Sequence, residues 1–204
     1  GMKEAPTLGL YLACPLIDGR LSNQTFCSIV TNTRNLLSKW KANSLSQAGR
    51  IVLIQSNIAS KASYQMQSFL LPSSIHSEVD KIYRDFLWNK APDKISTNLI
   101  GWDRICKPKN LGGLSIKKAE TTNKILQMKL LWKILTQPEN IWIQLVQKRY
   151  LHDRHLFDHI PPQNSLWQLR KLMSLRETFR KGLRCQIGNG KSVHFWKDNW
   201  VYQH

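Results

Sequence analysis

The chain has 204 residues, 42% of them hydrophobic, and carries 30 Lys and Arg against 13 Asp and Glu, for a formal net charge of +17. That length and hydrophobicity allow one domain or two small ones with a real core, and they exclude wholesale disorder. The charge excess suits a polyanion, nucleic acid before an acidic membrane surface, although a basic solvated surface accounts for charge alone equally well.

The charge is uneven: 11 basic and 6 acidic side chains lie in residues 1–100, against 19 and 7 in residues 101–204. Cys14, Cys27, Cys106 and Cys185 are far apart and form no C-x-x-C pair. Such spacing fits a reducing compartment, nuclear or cytoplasmic, rather than a disulfide framework. No apolar run reaches the roughly 18 residues of a membrane span, so no membrane partner is expected.

In chain order, residues 8–17 read as a short buried strand pair stopped by Pro15. From Ser22 the pattern turns helical, with Phe26, Ile29, Val30, Thr33, Leu36, Leu37 and Trp40 at three- and four-residue steps. Ser44, with Gln47 three positions later, is a capping pair that opens a second helix running to about Lys61. Pro72 precedes a third, with Ile75, Val79, Ile82 and Phe86 on one face and Trp88 closing it. Three amphipathic helices with short connections predict a compact bundle over residues 20–90.

Pro92, Pro108 and the Gly112-Gly113 pair read as a linker over residues 91–114. A fourth helix follows, with Ala119, Leu126, Leu130, Leu131, Ile134 and Leu135 on a broad apolar side. A fifth, behind Pro138, carries Ile141, Leu145 and Val146, and "YLHDRHLFDHIPP" reads as a loop. A sixth runs from about Ser165 with Trp167, Leu169, Leu172 and Phe179, studded with Arg170, Lys171, Arg176, Arg180 and Lys181. "CQIGNGKSVHFW" reads as a terminal β-hairpin around Gly-Asn-Gly. The fold class expected is mainly α: a three-helix bundle, then a second helical subdomain over residues 115–204, with short β elements at both ends.

No nucleophile elbow, P-loop, H-E-x-x-H or adjacent Asp-Asp stands in the sequence. Without a catalytic cluster, no enzyme activity and no cofactor are expected of this chain. His152, His155 and His159, with Asp153 and Asp158, make the best metal candidate, yet no thiolate is near, so a solvated loop and no metal are expected. Trp40, Trp88, Trp132 and Trp167 lie on or beside apolar stripes and are expected in the core. Trp196 and Trp200 flank the terminal hairpin, where core packing again outweighs base stacking.

The second helix raises a particular question. At 100° per residue, Leu45, Ala48, Val52 and Ala59 gather on one side, extended by Ile51, Ile54 and Ile58. The opposite side holds Ser46, Gly49, Arg50, Ser56, Asn57, Ser60 and Lys61, with Leu53 in the middle. That side contains no acid, unlike an ordinary solvated helix, and small residues let a backbone come close to a ligand. The rival reading is tight helix–helix packing at Gly49.

"YLACPLIDGR", "LLSKWKANSLSQAGRIVLIQSNIAS", "YQMQSFLLPSSI", "FLWN", "GWDRICKPKNLGGLSI" and "IGNGKSVHFWKDNW" follow one another in order. Together they resemble the C-terminal part of the reverse transcriptase of plant LINE-type (non-LTR) retrotransposons. The resemblance covers nearly all of residues 9–204. It implies that residues 1–19 end a palm domain, with Tyr11, Leu12 and Ala13 at the primer grip, where Ala13 stands in place of the family's usual Gly. It implies further that residues 20–90 form a thumb and residues 115–204 a connector, and that the palm's metal-binding carboxylates would lie upstream of Tyr11.

The implied function is a non-catalytic grip on the template–primer duplex, an RNA–DNA hybrid held without reading sequence. Partners would be that nucleic acid and the palm of the parent polymerase. The second helix would lie along the minor groove, its hydroxyls and amide reaching sugars and phosphates. Arg170, Lys171, Arg180 and Lys181, ten residues apart on the sixth helix, would share one broad face, extended by Lys107, Lys109, Lys117 and Lys118. The alternative is a protein-interaction module, or a decayed or host-recruited retroelement remnant.

Overall fold

The computed structural model describes residues 10–11, 14–15, 23–40, 44–57, 63–88, 100–152, 156–158, 165–184 and 186–187. The described residues are mainly helical, as the periodicity predicted. The chain divides into two compact units, the first within residues 1–129 and the second within residues 130–204.

In unit 1, β1 (Leu10–Tyr11) pairs antiparallel with β2 (Cys14–Pro15), Tyr11 opposite Cys14. Leu12 and Ala13, like the expected terminal hairpin with Trp196 and Trp200, lie outside the described residues. A 3-10 turn over Asn23–Phe26 leads into α1 (Cys27–Ser38), and α2 (Gln47–Asn57), α3 (Ser63–Ser68) and α4 (Ser73–Leu87) follow. Helix α4 packs against both α1 and α2.

The stripe on α1 is buried as its steps predicted, through Phe26, Ile29, Val30, Thr33 and Leu37. Trp40 is not: it falls two residues past the last helical residue and is 49% exposed. Pro72, extended at φ −61° and ψ 150°, opens α4 where a backbone N–H would have no helical partner. Ile75, Val79, Tyr83 and Leu87 then face the core, with Ile82, Phe86 and Trp88 packed beside them.

Residues 100–118 fall largely in the stretch read as a linker, and they join the same core. Helix α5 (Trp102–Ile105) buries Trp102 and Ile105, and Ile116 and Ala119 are buried at the start of α6 (Ala119–Thr136). Pro108 and the two glycines punctuate a turn inside this packed stretch.

Unit 2 contains α7 (Ile141–Val146), a π-type turn over Gln147–Leu151, α8 (Trp167–Met173) and α9 (Arg176–Gly182). Its buried apolar side chains include Leu131, Ile134, Ile143, Val146, Leu151, Leu169, Leu172 and Leu175. On α7 the buried residues are Ile143 and Val146, while Ile141 and Leu145, expected inside, are exposed. Trp132, also expected inside, is 52% exposed, because Leu131 and Ile134 take the buried side of that turn. The single sixth helix expected from Ser165 is two. Ser174 Oγ donates to the Lys171 carbonyl at 2.7 Å and Arg176 Nε to the Met173 carbonyl at 3.2 Å. Side chains that take up backbone acceptors in this way compete with the helical ladder.

Candidate nucleic-acid interface

At the start of helix α2 Ser46 Oγ accepts from the Gly49 N–H at 3.2 Å, a capping bond two positions on from the Ser44/Gln47 pair the sequence suggested. The helix is also turned relative to the sequence reading. Ile54 is fully buried and Ile51 packs on the core, whereas Val52 is 62% exposed. The outward line is Ala48, Val52 and Ser56, one residue per turn, while Gly49, Arg50 and Leu53 are half-buried.

Arg50 braces the helix in this orientation. Its guanidinium donates to the carbonyls of Leu45 and Leu87, both at 3.1 Å. Leu87 is the last residue of α4, where carbonyls lack helical partners and a cation sits favourably. Arg50 therefore ties α2 to the end of α4. At Gly49 an added Cβ would meet Ser46 Oγ at 3.5 Å and Leu45 Cδ2 at 3.7 Å, ordinary contacts from its own turn and none from another helix. Of the remaining candidates on this helix, Ser46 and Ser56 are exposed, and Ser60, Lys61 and the Asn57 side chain lie outside the described residues.

Lys107 and Lys109 stand exposed on a tightly braced turn. Leu111 and Gly113 N–H groups donate to the Pro108 carbonyl, Ser115 N–H to the Lys107 carbonyl, and Lys109 N–H to Ser115 Oγ. Gly112 is left-handed at φ 77°, and a Cβ on Gly113 would collide with the Lys107 carbonyl, so both glycines are required. Ser115, at φ 54°, adopts a conformation that non-glycine residues rarely hold. Lys118 pairs with Asp103 and is not a free cation.

Sequence reasoning missed the polar cluster behind this turn. Asn123 and Gln127 of α6 are buried. Asn123 Nδ2 donates to the carbonyls of Met66 (2.7 Å) and Phe69 (2.8 Å), and its Oδ1 accepts from Leu71 N–H at 2.8 Å. Gln127 Nε2 donates to the carbonyls of Met66 (2.8 Å) and Gln67 (2.9 Å). With Asn123 so oriented, the His76 ring at 3.0 Å must donate from Nε2 to Oδ1. Burial holds the His76 pKa below its ordinary value, against the pull of that hydrogen bond and of Glu120 and Asp80. Asp80 accepts from Ala119 N–H at 3.0 Å, and burial raises its carboxyl despite that bond. The signal was present: Ala119, Asn123, Gln127 and Leu131 form one four-residue row whose ends are apolar.

In unit 2, Arg170, Lys171 and Lys181 are exposed and Arg180 is half-buried. The kink at Ser174-Leu175 removes the continuous helix on which all four were to share a face. The Lys171 ammonium lies 5.7 Å from the Trp167 ring centre. The Arg180 guanidinium lies 5.6 Å from the ring centre of Phe157, which stacks with Phe179 at 6.5 Å. Of the histidine loop, His155, His159 and Asp153 lie outside the described residues, and His152 ends the π-type turn in a left-handed conformation. Among the described residues no group of three His, Cys, Asp or Glu comes together, and no helix is long and apolar enough to cross a membrane.

The chain is similar to a protein of Arabidopsis thaliana provisionally named a ribonuclease H protein, 30% identical over 191 residues, which are 92% of this chain and 31% of that protein. It is also similar to an uncharacterised mitochondrial protein of Arabidopsis thaliana, 24% identical over 139 residues, 68% of this chain and 90% of that one. The chain thus spans about a third of the length of the first relative. No protein-family model and no solved structure matches it.

Proposed function

We propose that this chain is a non-catalytic nucleic-acid-binding portion of a retrotransposon-type RNA-directed DNA polymerase, holding a template–primer duplex through its backbone. The observation that carries the reading is the surplus of exposed cations in both units. Lys107, Lys109 and Lys117 of unit 1 and Lys148, Arg170, Lys171 and Lys181 of unit 2 are exposed, while the acids Asp103 and Glu120 are already paired with Lys118 and Lys124. The ordered motifs that resemble a LINE-type reverse transcriptase support it, and the name of one relative, a ribonuclease, points to the same class of ligand. In this reading Ser46 and Ser56 approach sugars and phosphates from α2, and Arg50 acts by positioning that helix rather than by touching the ligand.

The test is binding of the chain to a short RNA–DNA hybrid over a range of salt. Several phosphate contacts should give a steep fall of affinity, with a log–log slope of about −0.9 per contact on duplex DNA and a comparable one here. Absence of binding, or a flat salt dependence, overturns the reading. The purified chain is also expected to incorporate no nucleotide on a primed template with Mg²⁺, since two-metal transfer needs converging carboxylates. A second reading, a protein-interaction module, is favoured by the exposed Ile141, Trp142 and Leu145 on α7.

A further inference from the structure

Between two buried feet, Ile105 and Ile116, unit 1 raises a small knuckle. Its base is fixed from both sides: Leu114 N–H donates to the Ile105 carbonyl at 2.7 Å, and Gln55 of α2 donates to the Leu114 carbonyl at 3.3 Å. Its bend requires Gly112 and Gly113 and holds Ser115 in a sparsely populated backbone conformation. At the tip Leu111 is 66% exposed, with Lys107 and Lys109 exposed beside it. Asp103, the acid of this segment, is held by Lys118.

An exposed leucine alone needs no explanation. Here the turn that carries it is closed by several backbone hydrogen bonds and holds Ser115 in a rarely populated conformation, and such strain persists where the surrounding structure fixes a group in position. An apolar tip flanked by exposed lysines matches a surface that is apolar at its centre and anionic at its rim. The end of a base-paired stem has that character: a stacked base face inside, phosphates outside. Apolar side chains that press on base steps beside basic contacts are a known mode of nucleic-acid binding. An acidic protein with an apolar socket would fit less well, since it would need two separate features to be brought into register.

We propose that Leu111 is a wedge that rests on the last base pair of an RNA–DNA hybrid where it gives way to single strand, with Lys107 and Lys109 on the flanking phosphates. The proposal rests on the duplex-binding reading above and adds to it a site for the junction.

The experiment uses the full chain and two hybrids carrying 2-aminopurine, one at the terminal pair of a recessed end and one at an internal pair of a hybrid whose ends are closed by hairpin loops. Binding should raise the fluorescence at the recessed end. Leu111→Ala should abolish that rise and weaken recessed-end binding about tenfold, as loss of most of one buried leucine contact implies, with internal binding and the salt slope unchanged. The double change Lys107→Gln with Lys109→Gln should instead lower the slope by about 1.8. A Leu111→Ala protein that matches the parent on both hybrids overturns the wedge while leaving duplex binding intact. If the parent binds neither hybrid at about 50 mM salt, where phosphate contacts are strong, the duplex reading itself fails and the wedge with it.

Discussion

In unit 1 the amides of Asn123 and Gln127 are buried and stitch α6 to the carbonyls of residues 66–69, while Arg50 and Gln55 donate across elements to Leu87 and Leu114. In unit 2 Arg176 likewise donates to the carbonyls of Leu156 and Met173, but other charged side chains rest on ring faces: Lys171 on Trp167, Arg180 on Phe157, Arg149 on Tyr150. The contrast separates cations bonded to backbone carbonyls, such as Arg50 and Arg176, from exposed cations such as Lys171 that a ligand can reach. A buried network fails when one member is removed, because its partners are left unsatisfied in a low dielectric. A cation above a ring at the surface can leave it for water at little loss. Changes within the polar cluster of unit 1 therefore test the fold, and a change at the exposed Lys171 of unit 2 tests the ligand.

The largest effect should come from Asn123→Leu. The Phe69 carbonyl and the Leu71 N–H lose their partner amide, and each buried polar group so orphaned costs about 1–3 kcal/mol. A loss of about 3 kcal/mol or more is expected in urea denaturation. A loss below about 1 kcal/mol would mean water replaces the amide and would erase the contrast. Acid should weaken the same cluster. Because burial lowers the His76 pKa, the unfolded chain takes up the proton first, so stability falls as the pH drops below the ordinary value of 6.5. Asp80 is shifted the other way, which favours the folded state in more acid solution and partly offsets the fall there. Comparison of wild type with His76→Gln between about pH 7.5 and pH 5.5 checks this, and parallel curves would count against it.

Gly113→Ala should cost roughly 1–3 kcal/mol, because the new Cβ meets the Lys107 backbone carbonyl and the turn must shift. Arg50→Met should cost about 1–2 kcal/mol through the lost bonds to Leu45 and Leu87. Gly49→Ala should do the opposite and stabilise by roughly 0.5–1 kcal/mol, since its Cβ finds only ordinary contacts. The two neighbouring residues thus carry effects of opposite sign, which neither groove contact at Arg50 nor tight packing at Gly49 predicts.

Helix positions and most core residues were legible because burial follows the three- and four-residue step, as on α1 and α4. The rotation of α2 was not legible. Its apolar residues cover half the circumference, and the buried face is the one that brings Ile54 into the core and Arg50 to a carbonyl 37 positions away. Short helices were equally ambiguous: on α7 the expected Ile141, Leu145 and Val146 kept only Val146 inside, and tertiary packing buried Ile143 beside it in place of the other two. The Gly112-Gly113 turn was visible as a break, but its close fit against Lys107 depends on a backbone approach that composition does not encode. The candidate site fared as its parts did: isolated exposed lysines were legible, and arginines recruited by carbonyls or rings were not.

The smallest effect is expected from Lys171→Gln in unit 2, and it discriminates most sharply. Among the described residues the exposed Lys171 ammonium rests on the Trp167 ring, an interaction worth about 0.5–1 kcal/mol at such a site. Denaturation should therefore shift by less than about 1 kcal/mol. If Lys171 serves a phosphate, the slope of hybrid affinity against salt should still fall by about 0.9, the share of one contact. A change in slope without a change in stability is the signature of a cation held ready for a polyanion. A stability loss as large as that of Arg50→Met, with the slope unchanged, would instead make Lys171 part of the scaffold and reduce the difference between the two units to one of position.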